Sequence, residues 1–205
     1  MKRYPSIPRR IKGRQRSRRV HVFDKLDGSN LRFEWSRENG WHRFGSRNRV
    51  LDESHEVFGG AMALFTGSLA EPIERVARDH GWTALVAFTE FWGPGSLAGQ
   101  HDPATAKQLT LFDVAPYRHG FIGPLRFLEL FDGCQMPSYL GEHTWDDALI
   151  EAVRRGELAG VTFEGVVGKA GDRHQRVAVK AKTQAWVDAV IARYGAEEGA
   201  RLVNS

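Results

Sequence analysis

Lys25 and Asp27, within Phe23-Asp24-Lys25-Leu26-Asp27-Gly28-Ser29-Asn30, set an amine two residues from a carboxylate where an apolar run meets a glycine turn. If the strand continues that far, both side chains leave one face at the end of a sheet, and Gly28 lets the chain bend tightly next to a ligand. An amine in that position can act as a nucleophile only after losing its proton, because a free lysine has a pKa near 10.4. The plainer reading of the same residues is an exposed lysine ahead of a hairpin. Two further amines, Lys180 and Lys182, alternate with Val179 and Ala181, so a strand there directs both to one face. Two acids stand out in apolar runs: Glu164 within Val161 to Val167, and Glu90 within Ala84 to Phe91. A buried carboxylate without a partner is costly, so each needs a cation, either a metal or a buried arginine.

These residues must be held by elements, and the pattern predicts them. Val20 to Phe23, Leu31 to Trp35 and Trp41 to Phe44 read as short strands, with Asn39-Gly40 turning between the second and third. Pro72 sits in the first turn of a helix ending at His80-Gly81. Ala84 to Phe91 and Leu109 to Val114 are strands, Pro124 to Leu130 a helix, and Thr144-x-x-Asp147 a capping box for a helix ending at Gly156. Strands over Thr162 to Gly168 and Arg176 to Lys182 precede a last helix over Gln184 to Tyr194. Strands and helices do not alternate regularly. The expectation is an α+β domain with largely antiparallel sheets and peripheral helices.

The 205 residues suit one sizeable domain, and 41% hydrophobic residues can build its core. No apolar run approaches a membrane span and the start lacks a signal peptide, which predicts a cytoplasmic protein. The single cysteine, Cys134, excludes an internal disulfide and reads as an inert small residue. No His-Glu-x-x-His pair is present, and Gly165-Val166-Val167-Gly168-Lys169-Ala170 lacks the length and hydroxyl of a phosphate loop. The net charge of +4 conceals an asymmetry. Nine of the 29 basic residues fall in residues 1–20 with no acid, leaving 20 bases against 25 acids, a net −5, in the rest. Such a block is either a solvated arm or a phosphate-binding strip. The division expected is a basic arm over 1–19 and a domain over 20–205.

Lys25-x-Asp27-Gly28 is followed in order by Ser46-Arg47-Asn48, Glu90-Phe91-Trp92-Gly93, Phe112-Asp113, Glu164-Gly165-Val166-Val167 and Lys180-Ala181-Lys182. In this order the sequence resembles the covalent nucleotidyltransferase superfamily of ATP-dependent RNA ligases, DNA ligases and mRNA capping enzymes. Within it the chain is most similar to RNA ligases of the RNA ligase 2 type, through Lys2-Arg3-Tyr4-Pro5-Ser6-Ile7, Asn30 and Phe112-Asp113. Asp27 departs from many members of that branch, which carry histidine there.

The resemblance implies a ligase adenylation domain whose sheets flank a nucleotide cleft, and a role for each residue. Lys25 is the nucleophile that takes AMP from ATP, with its pKa pushed down by desolvation and neighbouring cations. Lys180 and Lys182 meet the α-phosphate and share in catalysis. Glu164, with Asp27, engages Mg²⁺ or Mn²⁺, Glu90 the ribose, and Phe112 stacks on adenine unless it is core packing. Arg47 contacts phosphate or orients Asp27, and Asp24 and Asn30 complete the nucleotide contacts. The partner implied is RNA bearing 5′-phosphate and 3′-hydroxyl ends, gripped by Arg9, Arg10, Lys12, Arg14, Arg16, Arg18 and Arg19. Only 23 residues follow Lys182, too few for the OB-fold or helical domain usual in such enzymes, which leaves that domain to a partner protein. Two other readings stand beside an RNA ligase: a minimal DNA nick ligase, and a nucleic-acid-binding module that keeps the fold without turnover.

Overall fold

A computed structural model describes residues 2–11 and 17–204. Strand β1 (Arg18–Lys25) begins two residues before the apolar pattern predicts, and β2 (Gly28–Ser36), β3 (Gly40–Ser46) and the short β4 (Val50–Leu51) follow it. Helices α1 (Gly60–Ser68) and α2 (Ala70–Asp79) lead to β5 (Ala84–Trp92), β6 (Gln108–Pro116) and α3 (Pro124–Leu130). Next come β7 (Tyr139–Trp145), α4 (Asp147–Arg154), β8 (Gly165–Ala170) and β9 (Val177–Lys182). Two helices, α5 (Gln184–Tyr194) and α6 (Ala196–Asn204), complete the described chain.

The architecture is α+β, as expected, with two antiparallel sheets of order β7-β1-β8-β9 and β4-β3-β2-β5-β6. The second sheet packs one face on α1, α2 and α3 through Phe33, Trp35, Phe65, Ile73 and Phe127, all buried. The first packs on α4 through Val20, Val22, Trp145 and Val153. Burial of several such large side chains, each contributing about 1.5–3 kcal/mol, fixes the two sheets in register. The chain passes from the first sheet to the second at Leu26-Asp27, between the last residue of β1 and the first of β2. Both sheets therefore contribute to whatever lies at that crossing.

Two expectations are corrected, and α1 joins the helices the pattern predicts. The helix predicted with Pro72 in its first turn is α2, and it follows α1, which has no capping side chain and is held by the buried Ala61 and Phe65, the latter stacked at 3.7 Å on Phe33. The Thr144 capping box is not used, because Thr144 and Trp145 pair with β1 and Trp145 is buried in the sheet core. Asp146 caps α4 instead, accepting the Leu149 N–H at 2.9 Å. The strand expected from Thr162 begins only at Gly165, so Glu164 lies in a bend before β8 rather than inside a strand. Gly165 makes that bend possible: its φ is +145° and an added Cβ would lie 2.1 Å from the Ala181 carbonyl oxygen. Among the described residues no helix is long and apolar enough to cross a membrane.

Candidate functional site

The crossing between sheets opens a cavity of about 430 Å³. Lys25 ends β1, where it pairs with Gly165, and Glu164 immediately precedes that glycine. This places the Lys25 Nζ 2.8 Å from Glu164 Oε2, while the Lys182 Nζ lies 3.2 Å from Glu164 Oε1. The buried acid thus takes two lysines rather than a buried arginine among the described residues. Gly28 opens β2 opposite Trp92, and a Cβ there would lie 2.6 Å from the Phe91 carbonyl oxygen and 3.0 Å from Glu90 Cγ. Its small size, not an unusual φ, lets β2 approach β5 beside Glu90. Glu90 is directly opposite Asn30 in the β2–β5 ladder.

All ten residues expected at the catalytic, nucleotide and metal positions line this one cavity: Asp24, Lys25, Asp27, Asn30, Arg47, Glu90, Phe112, Glu164, Lys180 and Lys182. Their engagements differ. Asp24 accepts two hydrogen bonds from Thr162, from its N–H at 3.0 Å and its hydroxyl at 2.7 Å, which brace the bend carrying Glu164. Asp27 accepts the Ala98 N–H at 2.9 Å, tying the crossing to the loop after β5. Since β1 ends at Lys25, the shared face expected for Lys25 and Asp27 does not arise from strand periodicity. Among the described residues the Asn30 side-chain oxygen is buried without a hydrogen-bond partner, and the residue lines the cavity. Lys180 and Lys182 do share a face, with Val179 and Ala181 buried on the other.

The electrostatics reverse one expectation. Burial lowers the Lys25 pKa, but the carboxylates of Glu164, Glu90 and Asp27 outweigh it and leave the pKa above the ordinary lysine value. Lys25 is therefore an ammonium at neutral pH in the free protein. Burial, with Glu164 and Asp27 beside it, pushes the Glu90 carboxyl up to about 8 against the pull of Lys25. Lys180 is pushed down to about 8 by burial and by Lys182, Lys25 and Arg47. Lys182 is also lowered by burial, opposed by Glu164, with Lys25 and Arg9 adding to the fall.

The expected RNA-gripping residues separate. Lys12, Arg14 and Arg16 lie outside the described residues. Arg9 donates to the Asn204 side chain at 3.0 Å at the end of α6, whose Leu202 lines the cavity. Arg10 lies 3.5 Å from Asp147, and Arg19, within β1, makes two hydrogen bonds to Glu142. Arg18 is half-buried at the start of β1. Among the cavity residues given no site role by the sequence are Tyr4, Ile7 and Lys169. Tyr4 belongs to Lys2-Arg3-Tyr4-Pro5-Ser6-Ile7, and Lys169 to the glycine stretch Gly165–Ala170. Cys134 is buried and its thiol is pushed up to about 11 by burial, in keeping with an inert role.

No protein-family model and no curated protein matches the chain. Solved structures do. An archaeal ATP-dependent RNA ligase superposes with a TM-score of 0.64 at 19% identity, over 94% of this chain and 50% of that one. A variant of the Naegleria gruberi RNA ligase with ATP and Mn gives a TM-score of 0.61 at 16% identity, over 83% and 51%. Another with AMP and Mn gives 0.60 at 16%, over the same shares. The chain spans about half the length of these ligases. What it shares with them, given two antiparallel sheets meeting at a lysine-bearing crossing, is the fold of a ligase nucleotidyltransferase domain.

Proposed function

We propose that this protein is an ATP-dependent RNA ligase whose Lys25 carries AMP. The observation that supports it best is the cluster at the sheet crossing: an amine and a second lysine on one buried carboxylate, inside a cavity lined by cations and by the half-buried rings of Phe58 and Phe112. In the first step the Lys25 Nζ lone pair attacks the α-phosphorus of ATP, forming a P–N bond as the bond to pyrophosphate breaks. Next an RNA 5′-phosphate oxygen attacks that phosphorus and Lys25 leaves. Finally an RNA 3′-hydroxyl attacks the 5′-phosphate, AMP departs and the phosphodiester is closed.

Phosphoryl transfer of this kind needs placement and charge stabilisation. Lys180, Lys182 and Arg47 supply positive charge on one side of Lys25, and Phe112 offers a ring for the base. Asn30 offers its unpartnered oxygen to a ligand donor. Glu164 must release Lys25 before the amine can lose its proton. A divalent cation fits the donor set only as a hydrated ion, because among the described residues no group of three or more His, Cys, Asp or Glu side chains is placed to hold one. Glu164 and Asp27 would hold it, through water or a single oxygen. When bound, such an ion supplies the positive charge that lets Glu164 give up a lysine and that offsets charge on the phosphates.

The test is incubation with α-labelled ATP and Mg²⁺, then denaturation and intact-mass measurement. The expected result is one AMP per chain in the native sequence and none in Lys25→Ala, whose fold survives because Lys182 still neutralises Glu164. An adenylated Lys25→Ala chain would sink the assignment. Joining assays on nicked RNA and nicked DNA then separate an RNA ligase from a DNA nick ligase, and absence of any label would leave only a binding module.

A further inference from the structure

Phe112 lies outside the pairing register of its own strand. Phe88 pairs with Asp113 and Thr89 with Leu111, so Phe112 is the extra residue of a β-bulge in β6. A bulge re-aims a side chain and at the same time loosens the ladder that would hold it. The missing hold comes from more than a hundred residues away. Tyr4, 6% exposed, meets the Phe112 ring edge-on at 5.0 Å and those of Phe88 and Phe121 at 5.1 and 5.5 Å. Its hydroxyl donates to Asp113 Oδ2 at 2.6 Å. Arg176 at 2.9 Å and Lys169 at 3.1 Å converge on the same oxygen, Arg176 also donates to the Tyr4 hydroxyl, and Lys169 donates to the Phe112 carbonyl. The bulge is therefore gripped at its ring, its backbone and its following side chain. Pro8, four residues past Tyr4, accepts the Lys180 N–H at 3.0 Å, so the same segment is pinned at both ends of its path along the cavity.

We propose that Tyr4 is a positioning residue for base recognition, setting the bulged Phe112 ring and so making the segment before β1 a working wall of the nucleotide cavity. This rests on the reading of Phe112 as the base-stacking side chain. Tyr4 itself need not touch the nucleotide or take part in proton transfer. Its contribution is confined to the part of the affinity that depends on the base.

The experiment compares two probes on the full chain by equilibrium titration: α,β-methylene-ATP, which cannot adenylate Lys25, and inorganic tripolyphosphate, which has no base. Phe112→Ala and Tyr4→Ala are each expected to weaken the nucleotide about tenfold, the scale of one aromatic pair, while leaving tripolyphosphate unchanged. Tyr4→Phe keeps the ring and should restore nucleotide affinity to within about threefold. The double variant should bind no more weakly than Phe112→Ala alone, because Tyr4 acts through that ring. If Phe112→Ala has no effect, the base-stacking reading and this proposal fall together. If Phe112→Ala weakens the nucleotide and Tyr4→Ala does not, this proposal alone falls. Additive losses in the double variant, equal losses on tripolyphosphate, or no rescue by Tyr4→Phe would each overturn it too. Should Tyr4→Ala fail to fold, Tyr4→Leu, which keeps apolar volume without the ring, faces the same comparison.

Discussion

Glu164 and Asp113 are both nearly sealed from water, at 4% and 2% exposure, and each holds two cations beside the same cavity. Their surroundings differ. Asp113 is the one carboxylate, among the described residues, with Lys169, Arg176 and the Tyr4 hydroxyl, and aromatic faces close over both cations: Lys169 lies 5.1 Å from the Phe23 ring and Arg176 4.0 Å from that of Phe121. Glu164 shares Lys25 with the nearby carboxyls of Glu90 and Asp27, and the Lys25 side chain keeps 21% of its surface open. The first arrangement has no second carboxylate competing for its cations among the described residues and holds its geometry. The second has more acids than it can pair with Lys25, so exchanging one partner for another costs it little. A buried ion pair can thus serve as a fixture or as an exchangeable latch, and the difference lies in its neighbours rather than in the pair.

The comparison breaks most directly on stability. Asp113→Asn leaves Lys169 and Arg176 buried without an anion and is expected to cost about 3–5 kcal/mol. Glu164→Gln leaves Lys25 beside Glu90 and Asp27, and a cost below about 2 kcal/mol is expected because partners and water remain within reach. Urea unfolding followed by tryptophan fluorescence measures both, and equal losses would erase the distinction between fixture and latch. On activity the order should invert, with Glu164→Gln losing its response to added Mg²⁺ while Asp113→Asn keeps it.

The next effect sharpens the latch itself. Lys180→Ala and Lys182→Ala each remove one cation facing the proposed phosphate position, and about 10²–10³ in the rate of Lys25 labelling should go with either. Lys182→Ala should also raise the Mg²⁺ requirement, since Lys182 shares Glu164 with Lys25. Single-turnover labelling at two Mg²⁺ concentrations distinguishes them. Native rates in both variants would remove the strand from the chemistry.

Much of this was legible in the sequence because the chemistry sits at strand ends. Lys25, Glu90, Lys180 and Lys182 follow apolar alternation that any strand reading finds, and the order of the motifs assigned them one fold. Glu164 was found for the wrong local reason: burial marked it, yet a bend at Gly165, not a strand, carries it. The pKa of Lys25 was expected to fall from neighbouring cations, whereas three acids raise it. A linear sequence shows which charges exist but not which stand closest. Tyr4 and the bulge at Phe112 were invisible for a related reason, since a bulge is a property of two strands in register and Tyr4 reaches it over 109 positions to Asp113.

The smallest effect tests whether acids truly outnumber partners around Lys25. With its carboxyl pushed up to about 8, Glu90 is protonated in the folded chain at neutral pH, whereas in the unfolded chain it ionises near 4.3. Between those values the folded state holds a proton that the unfolded state has released. The stability tied to that proton is therefore full below about pH 4.3 and is lost as pH rises toward 8. Glu90→Gln is a neutral mimic with nothing to release. Its melting temperature should match the native chain near pH 5 and exceed it by roughly 3–6 °C near pH 8, because Glu90 is only half-buried and water in the cavity softens the penalty. Lys180, pushed down to about 8, titrates between that value and its ordinary one, so its opposite slope appears only above this window. Thermal melts from pH 5 to 8 read the difference directly. A gap between the two proteins that stays constant across that range would mean that Glu90 is ionised in the fold, and that Lys25 has carboxylates enough to be held as firmly as Lys169.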